Sequence, residues 1–250
     1  MQIEEFFKLH KSVAVAFSGG VDSAVLLLFA KRYADRVKAY YVRSQFQPQF
    51  EGEDAVRIAE MLDAEMQVIP ADVLSDENII KNPSERCYYC KKCIFETITQ
   101  AAGNDGIDTV IEGTNATDDI GDRPGYRALR EMGILSPLKD CGYTKKMIRE
   151  IAGVNKLPVA DKPSYACLAT RIPTGTAITK QLLLKTEAAE NLLLKEGFKV
   201  FRVRYLDGAA KLELGKKEFE ILSKNREKIF ELLNKYYDGV YVDLKERADE

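Results

Sequence analysis

Histidine and tryptophan are almost missing from this sequence of 250 residues, which has one histidine and no tryptophan. The histidine, His10, lies in the amphipathic segment that opens the chain, and we interpret it as a surface residue. Histidine is the usual general base of Ser-His-Asp and Cys-His sites and a common zinc ligand. Those classes of site are therefore excluded unless His10 itself serves. Without tryptophan, a nucleotide base could stack only on a Tyr, Phe or Arg side chain.

Long apolar runs and a strong net charge are also missing. No stretch reaches the roughly 20 apolar residues of a membrane span, and the opening segment MQIEEFFKLHK is too charged for a secretion signal. The formal net charge is -2, so the chain has no overall basic field of the kind that nucleic-acid-binding proteins carry. These features predict a cytoplasmic protein with neither a membrane nor a nucleic-acid partner.

Cysteine is scarce but clustered. The sequence has five cysteines, an odd number, which argues against a disulfide framework in a chain without a secretion signal. Three of them, Cys87, Cys90 and Cys93, lie within seven residues, whereas Cys141 and Cys167 stand apart. We interpret Cys141, in an Asp-Cys-Gly turn, as structural.

The first half of the chain alternates short apolar runs with segments of helical spacing. Apolar, β-branched runs are typical of buried parallel strands. The predicted strands are Ser12–Phe17, Val37–Val42, Met66–Ile69 and Thr109–Glu112, and the predicted helices are Val21–Tyr33, Glu53–Leu62 and about Lys91 to Ala101. This order predicts an α/β fold with a doubly wound parallel sheet, which binds ligands at the carboxyl ends of its strands.

The second half has a different pattern. A stretch rich in Pro, Gly, Ser and Thr, Leu157–Gly175, is followed by alternating helix and strand patterns. The predicted helices are Lys180–Glu196 and Lys216–Tyr236, and the predicted strands are Lys199–Tyr205, Ala209–Leu214 and Gly239–Leu244. The sequence therefore predicts an α/β domain over residues 1–160 and a smaller α+β domain over residues 161–250, for substrate binding or oligomerisation.

The most informative motif is Ser18-Gly19-Gly20-Val21-Asp22-Ser23, between the first predicted strand and the first predicted helix. Gly19 and Gly20 lack a Cβ, so backbone N–H groups can approach phosphate oxygens, and Ser18 and Ser23 add hydroxyl donors. The following helix points its positive end at the anion. Phosphate would repel Asp22 unless a cation intervened, so we assign Asp22 to Mg²⁺. The alternative is an ordinary capped strand-to-helix turn.

This motif is neither a Walker A loop, which would carry Gly-Lys-Ser/Thr, nor a G-x-G-x-x-G loop. It resembles the loop of the PP-loop ATP pyrophosphatases, which include NAD synthetase, the GMP synthetase amidation domain and tRNA thiolation enzymes. The resemblance implies that ATP is bound with pyrophosphate held by the loop, and that AMP is transferred to a substrate oxygen.

Three further segments narrow the resemblance: Asn82–Cys93 (NPSERCYYCKKC), Glu112–Gly125 with its EGTNA start, and Asp161–Pro173 (DKPSYACLATRIP). Together with the loop they resemble the LarE family of sulfur transferases over nearly the whole chain. The ACLATRIP stretch is the most specific part.

Membership of that family implies an AMP- and pyrophosphate-forming enzyme of nickel-pincer nucleotide synthesis. The implied substrate is pyridinium-3,5-biscarboxylic acid mononucleotide, one carboxylate of which is adenylated and then converted to a thiocarboxylate. The implied catalytic residues are Cys167, Asp22 and Glu190, although from spacing alone Glu190 is one charged residue of an amphipathic helix. A small-molecule nucleotide, a sulfur donor and further copies of the chain are the expected partners.

The family divides on its sulfur source. Some members give up the sulfur of the cysteine that matches Cys167, whereas others carry a 4Fe–4S cluster on three cysteines, with one iron left open for an exchangeable sulfide. The extra cysteines favour the second type here, with Cys87, Cys90 and Cys167 as ligands. Cys93 leaves alternatives open: a cluster on Cys87, Cys90 and Cys93, a zinc site on four cysteines, or unligated thiols.

The remaining predicted site residues bind nucleotide or substrate. Gly113, Thr114 and Asn115 follow a strand end, where this fold binds its ligand, and we expect contacts with adenine or ribose. Arg171 lies four residues after Cys167, and a nearby cation favours a thiolate. Arg202 and Arg204 alternate on one strand and can reach one ligand, and the family resemblance implies contacts with the substrate phosphate. Alternatively, the two arginines belong to a strand edge that faces solvent and have no binding role.

Other functions remain as alternatives. A tRNA thiolation enzyme also pairs this loop with a three-cysteine cluster, but no RNA-binding module is recognisable. Amidation, as in NAD synthetase, leaves the cysteines unexplained. A non-catalytic ATP sensor would not need an intact SGGVDS loop.

Overall fold

The computed structural model describes residues 1–119, 121, 123–163 and 165–248. Asp122 and Ser164, which belong to the motif segments above, lie outside the described residues. The chain divides into two compact units. The first unit consists of Met1–Val73 and Glu85–Lys162, and the second unit consists of Leu74–Ser84 and Pro163–Glu250.

The first unit is built from alternating strands and helices. Its strands are β1 (Ser12–Ala16), β2 (Arg36–Arg43), β3 (Met66–Pro70) and β4 (Val110–Ile111). Its helices are α1 (Ile3–Leu9), α2 (Val21–Tyr33), α3 (Gln49–Met61), α5 (Arg86–Asn104), α6 (Pro124–Glu131), α7 (Pro137–Asp140) and α8 (Lys145–Val154), with a 3-10 turn that begins at Val73.

The four strands form one parallel sheet in the order β3-β2-β1-β4. Alternate residues of β1 face opposite sides: Val13 and Val15 pack in a core with α2, whereas Ala14 packs in a second core with α5. Because both faces of the sheet are covered by helices, the predicted doubly wound parallel α/β fold is confirmed.

The second unit contains α4 (Glu77–Ile80), a 3-10 helix (Leu168–Arg171), α9 (Lys180–Lys195) and α10 (Lys216–Leu233). Its strands are β5 (Phe201–Leu206), β6 (Ala209–Leu214) and β7 (Val240–Val242). β5 and β6 are antiparallel, and β6 pairs in parallel with β7. Apolar side chains of the two long helices and of the sheet share one core. The predicted small α+β module is therefore confirmed.

The segment Leu74–Ser84, which the sequence places within residues 1–160, groups with the second unit. Asn82 is fully buried, and its amide donates hydrogen bonds to the carbonyls of Ile172 (3.3 Å), Pro173 (2.7 Å) and Thr176 (3.1 Å). A buried amide requires such partners, so Asn82 ties its segment to this unit. No local pattern in the sequence encodes a contact over 90 residues.

Helix α5 begins at Arg86, about five residues before the predicted start. Cys87, Cys90 and Cys93 are therefore all helical, at successive intervals of three residues. The short helices α1, α4, α6, α7 and α8 were not predicted from the sequence. Within the described parts of the chain, no helix combines the length and apolar composition that a membrane span requires.

Candidate active site

The phosphate loop, Ser18–Ser23, follows the carboxyl end of β1 and leads into α2, whose N-cap is Gly20. Gly19 has φ +77°, a conformation that L side chains rarely adopt. A Cβ at Gly19 would lie 3.0 Å from the Cβ of Ala55 in α3 and 3.1 Å from its backbone. Both the backbone conformation and the close approach of α3 require glycine here.

Two hydroxyl groups brace this loop. Ser23 donates to the Gly20 carbonyl (3.0 Å) and accepts from the Ser18 N–H (3.3 Å). The Ser18 hydroxyl accepts from the Gly20 N–H at 3.3 Å and lies 3.1 Å from the Ser23 hydroxyl. The loop is thus held in shape by its own side chains, with Ser18 exposed and Ser23 buried.

Asp22 lies in the first turn of α2 and is bonded on both carboxylate oxygens. The amide of Asn115 donates to Oδ1 (3.1 Å), and Lys145 Nζ forms an ion pair with Oδ2. Lys145 is the first residue of α8, after the N-cap Thr144, so a cation lies beside a loop that contains none. Sequence reasoning missed Lys145, because no motif links it to Asp22, and it assigned Asn115 to the nucleotide rather than to Asp22.

The predicted nucleotide-binding residues Gly113 and Thr114 lie at the carboxyl end of β4, which pairs with β1. A Cβ at Gly113 would lie 3.0 Å from the Ser23 nitrogen and 3.2 Å from the Asp22 carbonyl carbon. Gly113 therefore packs directly against the first turn of α2. The Thr114 hydroxyl donates to the buried carboxylate of Glu112 (2.8 Å), which also accepts from Ser136 (2.5 Å).

The clustered cysteines lie on α5, where Cys87 is exposed and Cys90 and Cys93 are partly buried. Arg86 donates to the Cys87 sulfur (3.9 Å). All five cysteines of the chain are thiols rather than disulfides. Among the described residues, no three His, Cys, Asp or Glu side chains form a group that could hold a metal ion.

In the second unit, Arg171 and Glu190 form a buried ion pair, with side chains 1% and 2% exposed. Arg171 donates from Nε to Oε1 (2.8 Å) and from Nη2 to Oε2 (3.1 Å). The Val203 N–H (2.9 Å) and the Tyr165 hydroxyl also donate to Glu190, and the guanidinium carbon lies 4.5 Å from the centre of the Tyr165 ring. Burial by itself would lower the pKa of Arg171. The hydrogen bonds to Glu190 and its negative charge have the larger combined effect, so the pKa of Arg171 is raised.

Cys167 is partly buried at the N-cap of the 3-10 helix Leu168–Arg171. Its carbonyl accepts from the Thr170 N–H (2.9 Å) and hydroxyl (2.8 Å). Arg171 Nη1 donates to the carbonyl of Ala166 (2.8 Å). The backbone on both sides of Cys167 is therefore held by hydrogen bonds, one of them from the buried Arg171.

Arg202 and Arg204 alternate along β5 as predicted. Arg204 forms an ion pair with Glu213 of β6, and its Nη1 donates to the carbonyl of Thr170 (2.5 Å). Arg204 therefore also contacts the turn that follows Cys167. The residues brought together in the second unit are the Cys167 turn, Arg171, Glu190 and Arg204.

Comparison with known proteins finds one matching family and several similar proteins. The family described as "Queuosine biosynthesis protein QueC" matches residues 12–84, which include the phosphate loop. A pyridinium-3,5-bisthiocarboxylic acid mononucleotide synthase from Lactiplantibacillus plantarum is 33% identical over 81% of this chain and 74% of its own length. An uncharacterised protein from Methanocaldococcus jannaschii is 31% identical over 97% of this chain and 93% of its own length. A tRNA-specific 2-thiouridylase from Clostridium botulinum is 30% identical, over only 60% of this chain and 52% of its own.

Proposed function

This chain belongs to the LarE family of ATP-dependent sulfurtransferases, and we propose that its substrate is pyridinium-3,5-biscarboxylic acid mononucleotide. In the proposed reaction a substrate carboxylate oxygen attacks the α-phosphorus of ATP, and pyrophosphate leaves. Sulfide then attacks the acyl carbon, and AMP leaves with the oxygen. The products are a thiocarboxylate, AMP and pyrophosphate, for nickel-pincer nucleotide synthesis.

The observation that carries the proposal is the phosphate loop between β1 and α2. Gly19 turns the backbone with a positive φ, and the 13-residue α2 begins within the loop, at Val21. The N-terminus of a helix attracts phosphate through its N–H groups and its dipole. Gly113 and Thr114, at the neighbouring strand end, are proposed to contact the adenosine part of ATP.

Asp22 is proposed to hold Mg²⁺. Its carboxylate is partly exposed within the loop, and oxygen ligands of this kind suit a small hard cation that keeps several waters. The ion would neutralise charge on the ATP phosphates. The Asn115 amide, which donates to Oδ1, would hold the Asp22 carboxylate in position for the ion.

The sulfur source is proposed to be a 4Fe–4S cluster with Cys87, Cys90 and Cys167 as ligands. Cys87 and Cys90 are three residues apart on α5, and side chains at this spacing are neighbours on a helix surface. The pair therefore fits two thiolate positions of one cluster. When bound, the cluster would supply an exchangeable sulfide at its open iron.

Helical geometry argues against a ligand set of Cys87, Cys90 and Cys93. Cys87 and Cys93 are six positions apart on a helix that rises about 1.5 Å per residue, which places them about 9 Å apart along the axis. A single cluster between all three would require α5 to unwind. This spacing supports a third ligand from elsewhere in the chain.

Glu190 is proposed to act as a positioning residue rather than as a base. Its carboxylate accepts from Arg171, Tyr165 and Val203 and is almost fully buried. Through Arg171 it holds the carbonyl of Ala166, next to Cys167. The partly exposed Arg202 and Arg204 are proposed to contact the substrate phosphate.

We also propose that the chain forms a homo-oligomer through the second unit. An apolar groove of about 560 Å³ is lined by side chains of β6, β7 and α10, and Phe230 and Val242 at this groove are exposed. Exposed apolar patches of this kind are typical of interaction sites. Light scattering should give a mass above 28.2 kDa, and a Phe230→Glu variant should lower it. A monomeric wild type would overturn this proposal.

The reaction is tested by incubating the anaerobically purified enzyme with ATP, Mg²⁺ and the biscarboxylic mononucleotide. The expected products are AMP, pyrophosphate and a mononucleotide heavier by the exchange of oxygen for sulfur. Cys167→Ala should abolish thiolation but keep AMP formation, and the matched Cys141→Ala should keep both. Thiolation by Cys167→Ala would contradict the assigned role, and thiolation of tRNA alone would replace the proposed substrate.

The cluster is tested by measuring iron and acid-labile sulfide. Wild type and Cys93→Ala should contain the cluster, whereas Cys87→Ala, Cys90→Ala and Cys167→Ala should lose it. No iron in wild type after reconstitution would overturn the cluster and indicate that Cys167 itself gives up its sulfur.

A further inference from the structure

Lys145 forms an ion pair with Asp22 but has no role in the proposed reaction. The two residues are 123 positions apart, and Lys145 Nζ contacts Asp22 directly at the end of the phosphate loop. The lysine is placed by the start of α8: Thr144 caps this helix through a bond from Met147 N, and the Lys145 N–H donates to the Thr117 hydroxyl (3.2 Å).

Stabilisation of the fold does not account for this pair. Both side chains are partly exposed, 29% for Lys145 and 24% for Asp22, and ion pairs at this exposure stabilise proteins little. Asp22 also lies in the first turn of α2, where the helix dipole already favours a carboxylate. The Asn115 amide satisfies its other oxygen.

The loop itself lacks a cation. Residues Ser18–Ser23 include no lysine or arginine, although the triphosphate of ATP carries several negative charges. In loops of the G-x-x-x-x-G-K type a lysine inside the motif contacts the β- and γ-phosphates. Here the lysine that contacts the loop, at Asp22, comes from α8.

We propose that Lys145 is the phosphate-binding lysine of this loop, which pairs with Asp22 in the absence of nucleotide and contacts the β- and γ-phosphates of bound ATP. Mg²⁺ at Asp22 would take over the carboxylate and release the lysine for the phosphates. Lys145 would then stabilise the charge that develops on pyrophosphate as its bond to the α-phosphorus breaks. This inference rests on the proposed adenylation chemistry.

The experiment compares Lys145→Met with the matched control Lys146→Met, an exposed lysine that is the next residue of α8. Calorimetric titrations use Mg²⁺·ATP, Mg²⁺·pyrophosphate and AMP. These ligands differ in the phosphates they carry, so their affinities show which phosphates Lys145 contacts. Since a charge-assisted hydrogen bond is lost, Lys145→Met should bind ATP and pyrophosphate about 10- to 100-fold more weakly. Affinity for AMP, which lacks the β- and γ-phosphates, should stay within about twofold. Lys146→Met should match wild type throughout.

Lys145→Arg keeps the cation and should recover most of the affinity for ATP. Unchanged binding of ATP by Lys145→Met would overturn the inference, as would an equal loss for AMP and ATP, which would indicate a general disturbance of the site. None of these titrations involves the carboxylate substrate or the sulfur source. Failure of the proposed thiolation would therefore leave their result unaffected, and the two ideas fail separately.

Discussion

In each unit an ion pair involves predicted site residues, Asp22–Lys145 in the first and Arg171–Glu190 in the second, and these two pairs differ in burial. Asp22 and Lys145 of the first unit are 24% and 29% exposed, whereas Arg171 and Glu190 of the second are 1% and 2% exposed. The first pair is a single contact, between Lys145 Nζ and one carboxylate oxygen of Asp22. The second is bidentate and has further bonds from Tyr165 and Val203.

This difference agrees with the roles proposed above, ligand binding for the first pair and support of the backbone for the second. A partly exposed pair can exchange its partner for a ligand at little cost, because water screens each charge when the pair opens. A buried pair cannot open without leaving an uncompensated charge in a low dielectric. The first pair is suited to meet ATP, and the second to fix the backbone beside Cys167.

The largest expected effect comes from removing one charge of each pair. Glu190→Gln leaves the Arg171 guanidinium buried without its counter-ion and should lower the free energy of unfolding by about 3–5 kcal/mol. Asp22→Asn, at the partly exposed pair, should lower it by about 1 kcal/mol or less. Urea denaturation followed by circular dichroism measures both.

The two variants should also lose different steps of the reaction, and the more stable variant should lose the earlier step. Asp22→Asn should remain folded and lose AMP formation, whereas Glu190→Gln, at a temperature where it is folded, should keep AMP formation and lose thiolation. Equal stability losses in the two variants would contradict the distinction. A Glu190→Leu, Arg171→Met double variant should regain much of the stability, since an apolar pair removes the buried charge altogether.

A smaller effect is expected from the glycine that shapes the loop. Gly19 has φ +77° in the first unit, and Gly197 has φ +89° in the second. A Cβ at Gly197 would have open space around it, whereas a Cβ at Gly19 would press on Ala55 of α3. Alanine at either position should lower stability by about 1–2 kcal/mol through backbone strain. Gly19→Ala should in addition weaken ATP binding, because the contact with Ala55 would displace the loop.

Thermal unfolding and ATP titration of both glycine variants give the measurement. Loss of ATP affinity in Gly197→Ala as large as in Gly19→Ala would mean that strain anywhere in the chain, rather than the shape of the loop, controls binding.

The sequence predicted strand β1 of the first unit well because this strand is buried on both faces. Val13, Ala14 and Val15 are all fully buried, so the strand appears as a continuous apolar run. The helices that were missed, such as α6 and α7, are eight and four residues long. Segments this short show too few helical turns for apolar periodicity to reveal them.

The contacts of the candidate site could be predicted only where its residues are neighbours in sequence. The phosphate loop is contiguous, so its residue types and its place between β1 and α2 indicated its chemistry. Lys145 lies beside Asp22 through the packing of α8, and Glu190 meets Arg171 through the packing of α9. The side-chain partners of these residues depend on contacts across the fold, and the spacing of residues in the chain does not encode them.

The smallest expected effect is a loss of stability at alkaline pH that both units share. Burial raises the pKa of Tyr41 in the first unit and of Tyr237 in the second to about 12, and the charge of Glu190 adds to the shift of Tyr237. An unfolded tyrosine titrates near pH 10, so the stabilisation is complete below about pH 10 and is lost as the pH rises towards 12. At pH 11 each tyrosine should lower the free energy of unfolding by about 1 kcal/mol.

Urea denaturation of wild type, Tyr41→Phe and Tyr237→Phe at pH 9 and pH 11 tests this shared loss. Each phenylalanine variant should lose about 1 kcal/mol less than wild type between the two pH values, because it has no hydroxyl to ionise. If Glu190 contributes through its charge, the benefit of Tyr237→Phe should shrink when Glu190→Gln is also present, and that of Tyr41→Phe should not. An unchanged benefit would show that burial alone raises the pKa of Tyr237, and that the buried ion pair does not extend its influence to this tyrosine.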